Sequence, residues 1–283
     1  MRLVVQASGK QNSLISYSHL AHIHALCGTS VQFVQTGQHS YHLANQTVLP
    51  AVQEFCASQH IDCSYVQDSH LLKHFGLCVM DMDSTLIAIE CIDEIADMVG
   101  IKPQIAAITE RAMLGELDFS QSLRQRVALL KNLKESDLMR VLNERLTLNP
   151  GAKEWVEACK QNNITTLLIS GGFIFFAERV KTMLGLDYAI SNSLEIVDGL
   201  LTGNILGNIV DAQTKADELV KLRNKLGLTV AQTIAIGDGA NDLKMMSAAG
   251  IGIAYHAKPI VQTQATYALN HTGLEGAIGL LTT

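Results

Sequence analysis

The sequence predicts an α/β protein: a Rossmann-like parallel sheet with a helical cap inserted after its first strand, preceded by a small α+β N-terminal module. Three observations predict it. From residue 76 onward, short apolar runs alternate with helical patterns, as strands buried on both faces of a parallel sheet do. Residues 91–149 interrupt that alternation with apolar positions at helical spacing only. Composition also changes sharply near residues 70–76. Residues 1–74 hold three basic residues, three acidic residues and eight of the ten histidines, so the whole formal charge of −6 falls on the rest of the chain. The predicted divisions are 1–74 for the module and 75–283 for the sheet, with the cap at about 91–149.

Taken in order, residues 3–6 and 31–34 read as strands and 14–26 and 48–59 as helices of the small module. Residues 76–80 form an apolar strand that ends at Asp81. In the cap, Ile92, Ile95, Ala96 and Val99 share one helical face. Leu123, Val127 and Leu130 share another, with Ser120 as the expected N-cap. Residues 164–169 are a second strand, ending at Ser170, and 173–184 a helix. Glu195-Ile196-Val197 and Leu200-Leu201-Thr202 flank Asp198-Gly199, the signature of a hairpin with a two-residue turn. A helix follows over 216–226, with Asp211 as a candidate cap. Strands over 233–236 and 250–254 complete the pattern.

The class of protein is bounded by composition. With 48% apolar residues among 283, the chain can bury a large core, which excludes disorder. The acidic balance argues against a surface built to grip nucleic acid or an anionic membrane. No run approaches the ~20 apolar residues that span a bilayer. No signal peptide is evident, and six cysteines without a CxxC pair suit a reduced, cytoplasmic protein.

Each of the first three strands of the large sheet ends in polar residues, where ligands bind in such sheets. Asp81 and Asp83, two residues apart, lie on one side of a strand end if the chain stays extended. Paired carboxylates suit a divalent metal, or a nucleophile beside a general acid; a polar turn accounts for the pair equally well. Ser170-Gly171-Gly172 can cradle a phosphate with its hydroxyl and amides, or form an ordinary βα turn. Lys215, in a first helical turn, opposes the helix dipole. That suits neutralisation of a bound anion, although a solvated lysine accounts for the position in isolation. Gly237-Asp238-Gly239-Ala240-Asn241-Asp242 again places carboxylates where a helix begins. Arg126 shares the apolar face of Leu123, Val127 and Leu130, whereas Arg124 points roughly 100° away. A charge on a buried face needs a partner, either a structural carboxylate or a ligand anion. Glu90 likewise sits in an apolar context. His19, His22 and His24 are spaced by three and two, which does not bring all three to one helical face, so solvent-exposed histidines are expected. His256 is expected to be a structural or rim residue.

Together, Asp81-x-Asp83-x-Thr85, Ser170, Lys215 and Gly237-Asp238-Gly239-x-Asn241-Asp242 resemble the haloacid dehalogenase superfamily of phosphatases. The stretches Asp81–Ile87, Glu90–Ala96, Thr109–Met113, Leu117-Asp118-Phe119, Ser122-Leu123-Arg124, Arg126-Val127, Ser170–Phe173 and Val210–Gln213 are similar, within it, to the phosphoserine phosphatase family. The resemblance covers about residues 75–270; residues 1–74 match in position an N-terminal extension, sometimes ACT-like, of bacterial members.

The resemblance implies hydrolysis of O-phosphoserine, the last step of serine biosynthesis, through an aspartyl-phosphate. Asp81 would be the nucleophile and Asp83 the general acid and base. Mg2+ would bind Asp81, the Asp83 carbonyl and Asp238, with Asp242 behind them. Ser170, Gly171, Lys215 and Asn241 would contact the phosphate. Glu90 would take the substrate ammonium and Arg126 its carboxylate, with Met113 and Phe119 closing the pocket. A cytoplasmic enzyme with no nucleic-acid or membrane partner, forming a homodimer, is the accompanying expectation. A differently specific phosphatase of the superfamily is an alternative that Glu90 and Arg126 disfavour. A receiver-type signalling domain shares the sheet and the aspartyl-phosphate, but lacks the insert and the Asp238/Asp242 pair.

Overall fold

The computed structural model describes residues 1–9 and 14–283. The first six elements are β1 (Arg2–Gln6), α1 (Tyr17–Cys27), β2 (Val34–Gly37), β3 (Ser40–Leu43), α2 (Pro50–Ser58) and β4 (Asp62–Val66). They make a βαββαβ unit whose antiparallel sheet runs β2-β3-β1-β4, a ferredoxin-like arrangement. The expected strand over 31–34 falls instead at β2, and β3 and β4 add to the two strands expected. The reason is burial. β4 alternates buried with half-buried residues and β2 is mostly exposed, so neither carries a continuous apolar run.

The remaining chain begins with β5 (Leu77–Met80), followed by four cap helices: α3 (Cys91–Met98), α4 (Lys102–Met113), α5 (Phe119–Ala128) and α6 (Glu135–Glu144). Then come α7 (Ala152–Gln161), β6 (Thr165–Phe173), α8 (Ile174–Leu184), β7 (Tyr188–Val197), β8 (Leu200–Leu206) and α9 (Ala212–Lys225). The chain closes with β9 (Thr233–Gly237), α10 (Leu243–Ala248), β10 (Ile251–Tyr255), α11 (Pro259–Gln264), β11 (Tyr267–Leu269) and α12 (Gly276–Leu281). The sheet order is β11-β10-β9-β5-β6-β7-β8, parallel except for the β7–β8 hairpin. That hairpin turns at Asp198 (φ 51°) and Gly199 (φ 75°), the left-handed pair that a two-residue turn requires.

β5 and β9 are buried at every position because helices cover both faces. β6 runs further than expected, through Phe173, but its pairing with β7 shifts register between Ile169 and Phe173, at Ser170-Gly171-Gly172. Ser120 does not cap α5. Asp118 does, its carboxylate accepting from the Gln121 N–H at 2.8 Å while Gln121 answers onto the Asp118 N–H. Asp118 stands two residues nearer the N-terminus, and its side chain reaches the third helical amide. Leu123, Val127 and Leu130 are buried as expected, and Arg124 is exposed.

The two sheets are joined by polar contacts across long sequence separations. The Arg2 guanidinium donates to the carbonyls of Gln67, His70 and Leu280. The Asp62 carboxylate accepts from the amides of Asn270, His271 and Thr272 and from the Thr272 hydroxyl. His42 Nε2 lies 2.8 Å from the Gly279 carbonyl, on α12. No helix among the described residues is long and apolar enough to cross a membrane.

Candidate active site

Register aligns the site. Met80 pairs with Ile236 on one side and Leu168 on the other, so Asp81, Asp238 and the Ser170-Gly171-Gly172 segment within β6 lie near one level. Asp81 leaves β5 with extended backbone, and the chain then turns tightly over Met82–Leu86. Asn149 ties that turn down, donating to the carbonyls of Thr85 (2.9 Å) and Ile87 (3.1 Å). Above the strand ends lies a cavity of about 470 Å³. Asp81, Asp83, Ser170, Gly171, Asp238 and Asn241 line its floor side; Glu90, Met113, Phe119 and Arg126 line it from the cap. Ten of the twelve expected site residues therefore face one space.

The other two, Lys215 and Asp242, sit beneath the floor and are almost wholly buried. Lys215 Nζ is 2.7 Å from an oxygen of Asp81 and 2.7 Å from one of Asp242. The solvated lysine is thus ruled out: its two carboxylate partners raise its pKa although burial alone would lower it. Asp242 also accepts from the Gly239 N–H. Its own pKa is raised by burial and by Asp81, against the pull of Lys215.

Asp83 accepts from the Cys91 N–H at 3.1 Å, and Ser170 Oγ lies 3.4 Å from its other oxygen. Enclosure, then the charges of Glu90 and Asp81, push its pKa up to about 7 despite the Cys91 amide. Such a carboxyl is protonated in part at neutral pH and can both give and take a proton. A Cβ at Gly172 would stand 2.6 Å from an Asp83 oxygen, so only glycine lets the strand pass this close. Asp238 accepts from the Thr85 hydroxyl at 3.1 Å; burial, Asp81 and Glu90 raise its pKa to about 6.

Carboxylate oxygens of Asp81, Asp238 and Asp242 lie within 4.8 Å of one another, the one such metal-competent group among the described residues. Three hard oxygen donors this close fit a divalent cation. The N-terminal histidines do not cluster. His19 accepts from the Ser16 amide, His22 packs on Phe55, and His24 contacts the Val31 carbonyl. His256 is structural, bonded to the Thr272 carbonyl.

On the cap wall, Glu90 receives the Ser84 hydroxyl at 2.6 Å. Its pKa is raised by its enclosure and by Asp81 and Asp93, and eased by Ser84 and Arg126. Arg126 is half-buried, and its Nε has no partner among the described residues. Burial lowers its pKa, while Asp93 and Glu90 support the charge. Ser84, Asn149 and Asn192 were not singled out in the sequence. Asn192 is buried in β7 and bridges the Gly171 carbonyl to the Val210 amide, which fixes the loop beside the cavity. A lone buried asparagine in a strand leaves no pattern to find.

A profile of haloacid dehalogenase-like hydrolases matches residues 78–247. The chain is 51% identical over 215 residues to a phosphoserine phosphatase of Polaromonas sp., covering 74% of this chain and 91% of that one. Among solved structures, an unliganded probable phosphoserine phosphatase from Vibrio cholerae superposes with a TM-score of 0.87 at 40% identity, covering 99% of this chain and 85% of that one. A phospho-aspartyl intermediate analogue of phosphoserine phosphatase superposes with a TM-score of 0.67 at 38% identity, over 72% of this chain and 97% of that one. The shared sheet, the cap and the carboxylates at the strand ends all agree: the chain belongs to the haloacid dehalogenase-like hydrolase family, and within it groups with the phosphoserine phosphatases.

Proposed function

We propose that the protein hydrolyses O-phosphoserine to serine and phosphate through an aspartyl-phosphate on Asp81, with Mg2+ as cofactor. The observation that carries this reading is the two-sided cavity. Two carboxylates face a phosphate position from the floor, while Glu90 and the unpartnered Arg126 face it from the cap. A phosphate alone needs no carboxylate–guanidinium pair; an amino acid's ammonium and carboxylate do.

Asp81 attacks phosphorus and the bond to the serine oxygen breaks. Asp83, poised near pH 7, donates its proton to that departing oxygen. It then takes a proton from the water that attacks the aspartyl-phosphate, which releases phosphate and restores Asp81. Lys215 orients Asp81 and offsets charge on the phosphoryl oxygens. The Ser170 hydroxyl, the Gly171 amide and the Asn241 side chain contact those oxygens, and Met113 and Phe119 close the pocket. Asp81, Asp238 and the Asp83 carbonyl would hold Mg2+, with Asp242 orienting the set. The ion would withdraw charge from the phosphoryl oxygens. We place the reaction at the last step of serine biosynthesis, in the cytoplasm, in a homodimer. Residues 75–283 are the catalytic unit, with the cap at about 91–149, and 1–74 a separate ACT-like module.

The experiment is phosphate release from L- and D-phosphoserine and from an aryl phosphate, with magnesium and then with chelator. L-phosphoserine is expected to be turned over many times with magnesium, and not by Asp81→Asn or after chelation. Absence of release from phosphoserine by folded protein overturns the reading.

A further inference from the structure

We propose that Ser84 is the positioning residue for recognition of the substrate's ammonium: its hydroxyl holds Glu90 in place across the turn that follows the nucleophile. This rests on the phosphoserine reading above.

The backbone supplies the first observation. Ser84 adopts φ 55°, ψ −1°, the left-handed region. Every other non-glycine residue there, among those described, is Asn, Asp or His: Asn45, His60, Asn132, Asn163, Asp198 and His256. Those types tolerate the conformation, and glycine would adopt it without strain. Serine has no such advantage, so conformation alone does not account for it.

The side chain does. Ser84 Oγ donates to Glu90 Oε1 at 2.6 Å, and the Ser84 amide donates to the Ile89 carbonyl at 3.2 Å. Next to this bond, the Cys91 amide donates to Asp83. Two adjacent residues of the turn are therefore stitched to two adjacent residues at the start of α3. One stitch holds the proposed proton donor and the other the proposed ammonium acceptor. Glu90 needs holding because Asp81 and Asp93 repel its charge. A hydroxyl that donates to one oxygen of this carboxylate fixes that oxygen and leaves the other for a cationic ligand. Loss of the hydroxyl leaves Glu90 free to turn away from its acidic neighbours, with no change to the floor of the site.

The test compares Ser84→Gly and Ser84→Ala on three substrates: phosphoserine, phosphoethanolamine (ammonium without carboxylate) and phosphoglycolate (carboxylate without ammonium). Glycine suits the left-handed backbone, so Ser84→Gly is expected to fold; agreement with Ser84→Ala separates hydroxyl loss from backbone change. The expected result is a KM about tenfold higher for both ammonium substrates, with kcat little changed and phosphoglycolate unaffected, the size of one hydrogen bond to a charged group. In a Glu90→Gln background, removing the Ser84 hydroxyl is expected to add less than about twofold. Equal losses on all three substrates, unchanged KM, or full additivity with Glu90→Gln overturns the proposal. A wild-type protein with no preference for phosphoserine over phosphoglycolate identifies failure of the functional reading itself, before any variant is compared.

Discussion

At Arg126 the guanidinium is held on a buried helical face, short of one hydrogen-bond partner. A buried donor without a protein partner is costly, and a substrate carboxylate would satisfy it. Arg126→Ala is expected to lower kcat/KM for phosphoserine by about 100-fold, as loss of a bidentate carboxylate contact would, and to change aryl phosphate hydrolysis by less than about threefold. Parallel steady-state kinetics on the two substrates decides it, and equal losses remove Arg126 from substrate recognition. Lys215 is the opposite case. Its ammonium is satisfied by Asp81 and Asp242 before any substrate arrives. Its sequence position showed only a lysine in the wrong turn of a helix, because both partners come from other strand ends.

Among the elements, α5 links cap stability to the site, since it carries Phe119, Ser122, Leu123 and Arg126 along the cavity wall. Its start depends on the reciprocal Asp118–Gln121 bonds. Asp118→Ala is expected to cost about 1 kcal/mol, or a Tm lower by about 3 °C in a protein this size, read by calorimetry. Asp118→Asn should retain most of that, and an unchanged Tm in the alanine variant refutes the cap's contribution. The two sheets differ in how openly their strands are written. β5, β9 and β10 are buried at every position, and β6 is buried from Thr166 to Ser170, so each carries a mostly apolar run that a polar residue then breaks. β3 and β4, with sequences SYHL and DCSYV, bury some polar side chains and expose part of the rest. Asp62 is buried because three backbone amides wait for it beyond β11, a fact of tertiary structure with no local trace. The site was legible for a related reason: its residues punctuate those apolar runs. Ser84 and Asn149 act through bonds to backbone and to one side chain, which no spacing announces.

Over the whole molecule, the N-terminal sheet docks on α12 and on the segment after β11 through groups that must stay in one protonation state. His42 is buried against the Gly279 carbonyl; burial and the nearby Arg2 lower its pKa, and the carbonyl only partly offsets them. His70, which contacts the Tyr267 hydroxyl, is lowered too, by burial and Arg2. A histidine with depressed folded pKa binds fewer protons folded than unfolded. Its contribution is complete above its unfolded pKa of about 6.5 and is lost as pH falls below that value. The histidines' contribution is therefore expected to decline between about pH 7 and pH 5, opposed by Asp83 and Asp238, whose raised pKa values favour the folded state as pH falls; His42→Gln, which keeps a donor but cannot titrate, should lose less stability over that range than the wild type does. Denaturant midpoints across that range test it; identical slopes for the variant and wild type refute it.

The same contacts set an order of events in synthesis. β5 lies between β6 and β9, and its last residue pairs with Ile236. At ribosomal speeds, that partner emerges roughly ten to thirty seconds after β5 itself. Arg2 waits longer still, for a carbonyl 278 positions away. Until β9 is made, β5 lacks one of its two strand neighbours, and until residue 215 is made Asp81 has no lysine beneath it. The large sheet therefore closes late in translation, with β5 exposing an unpaired edge to the solvent until β9 arrives.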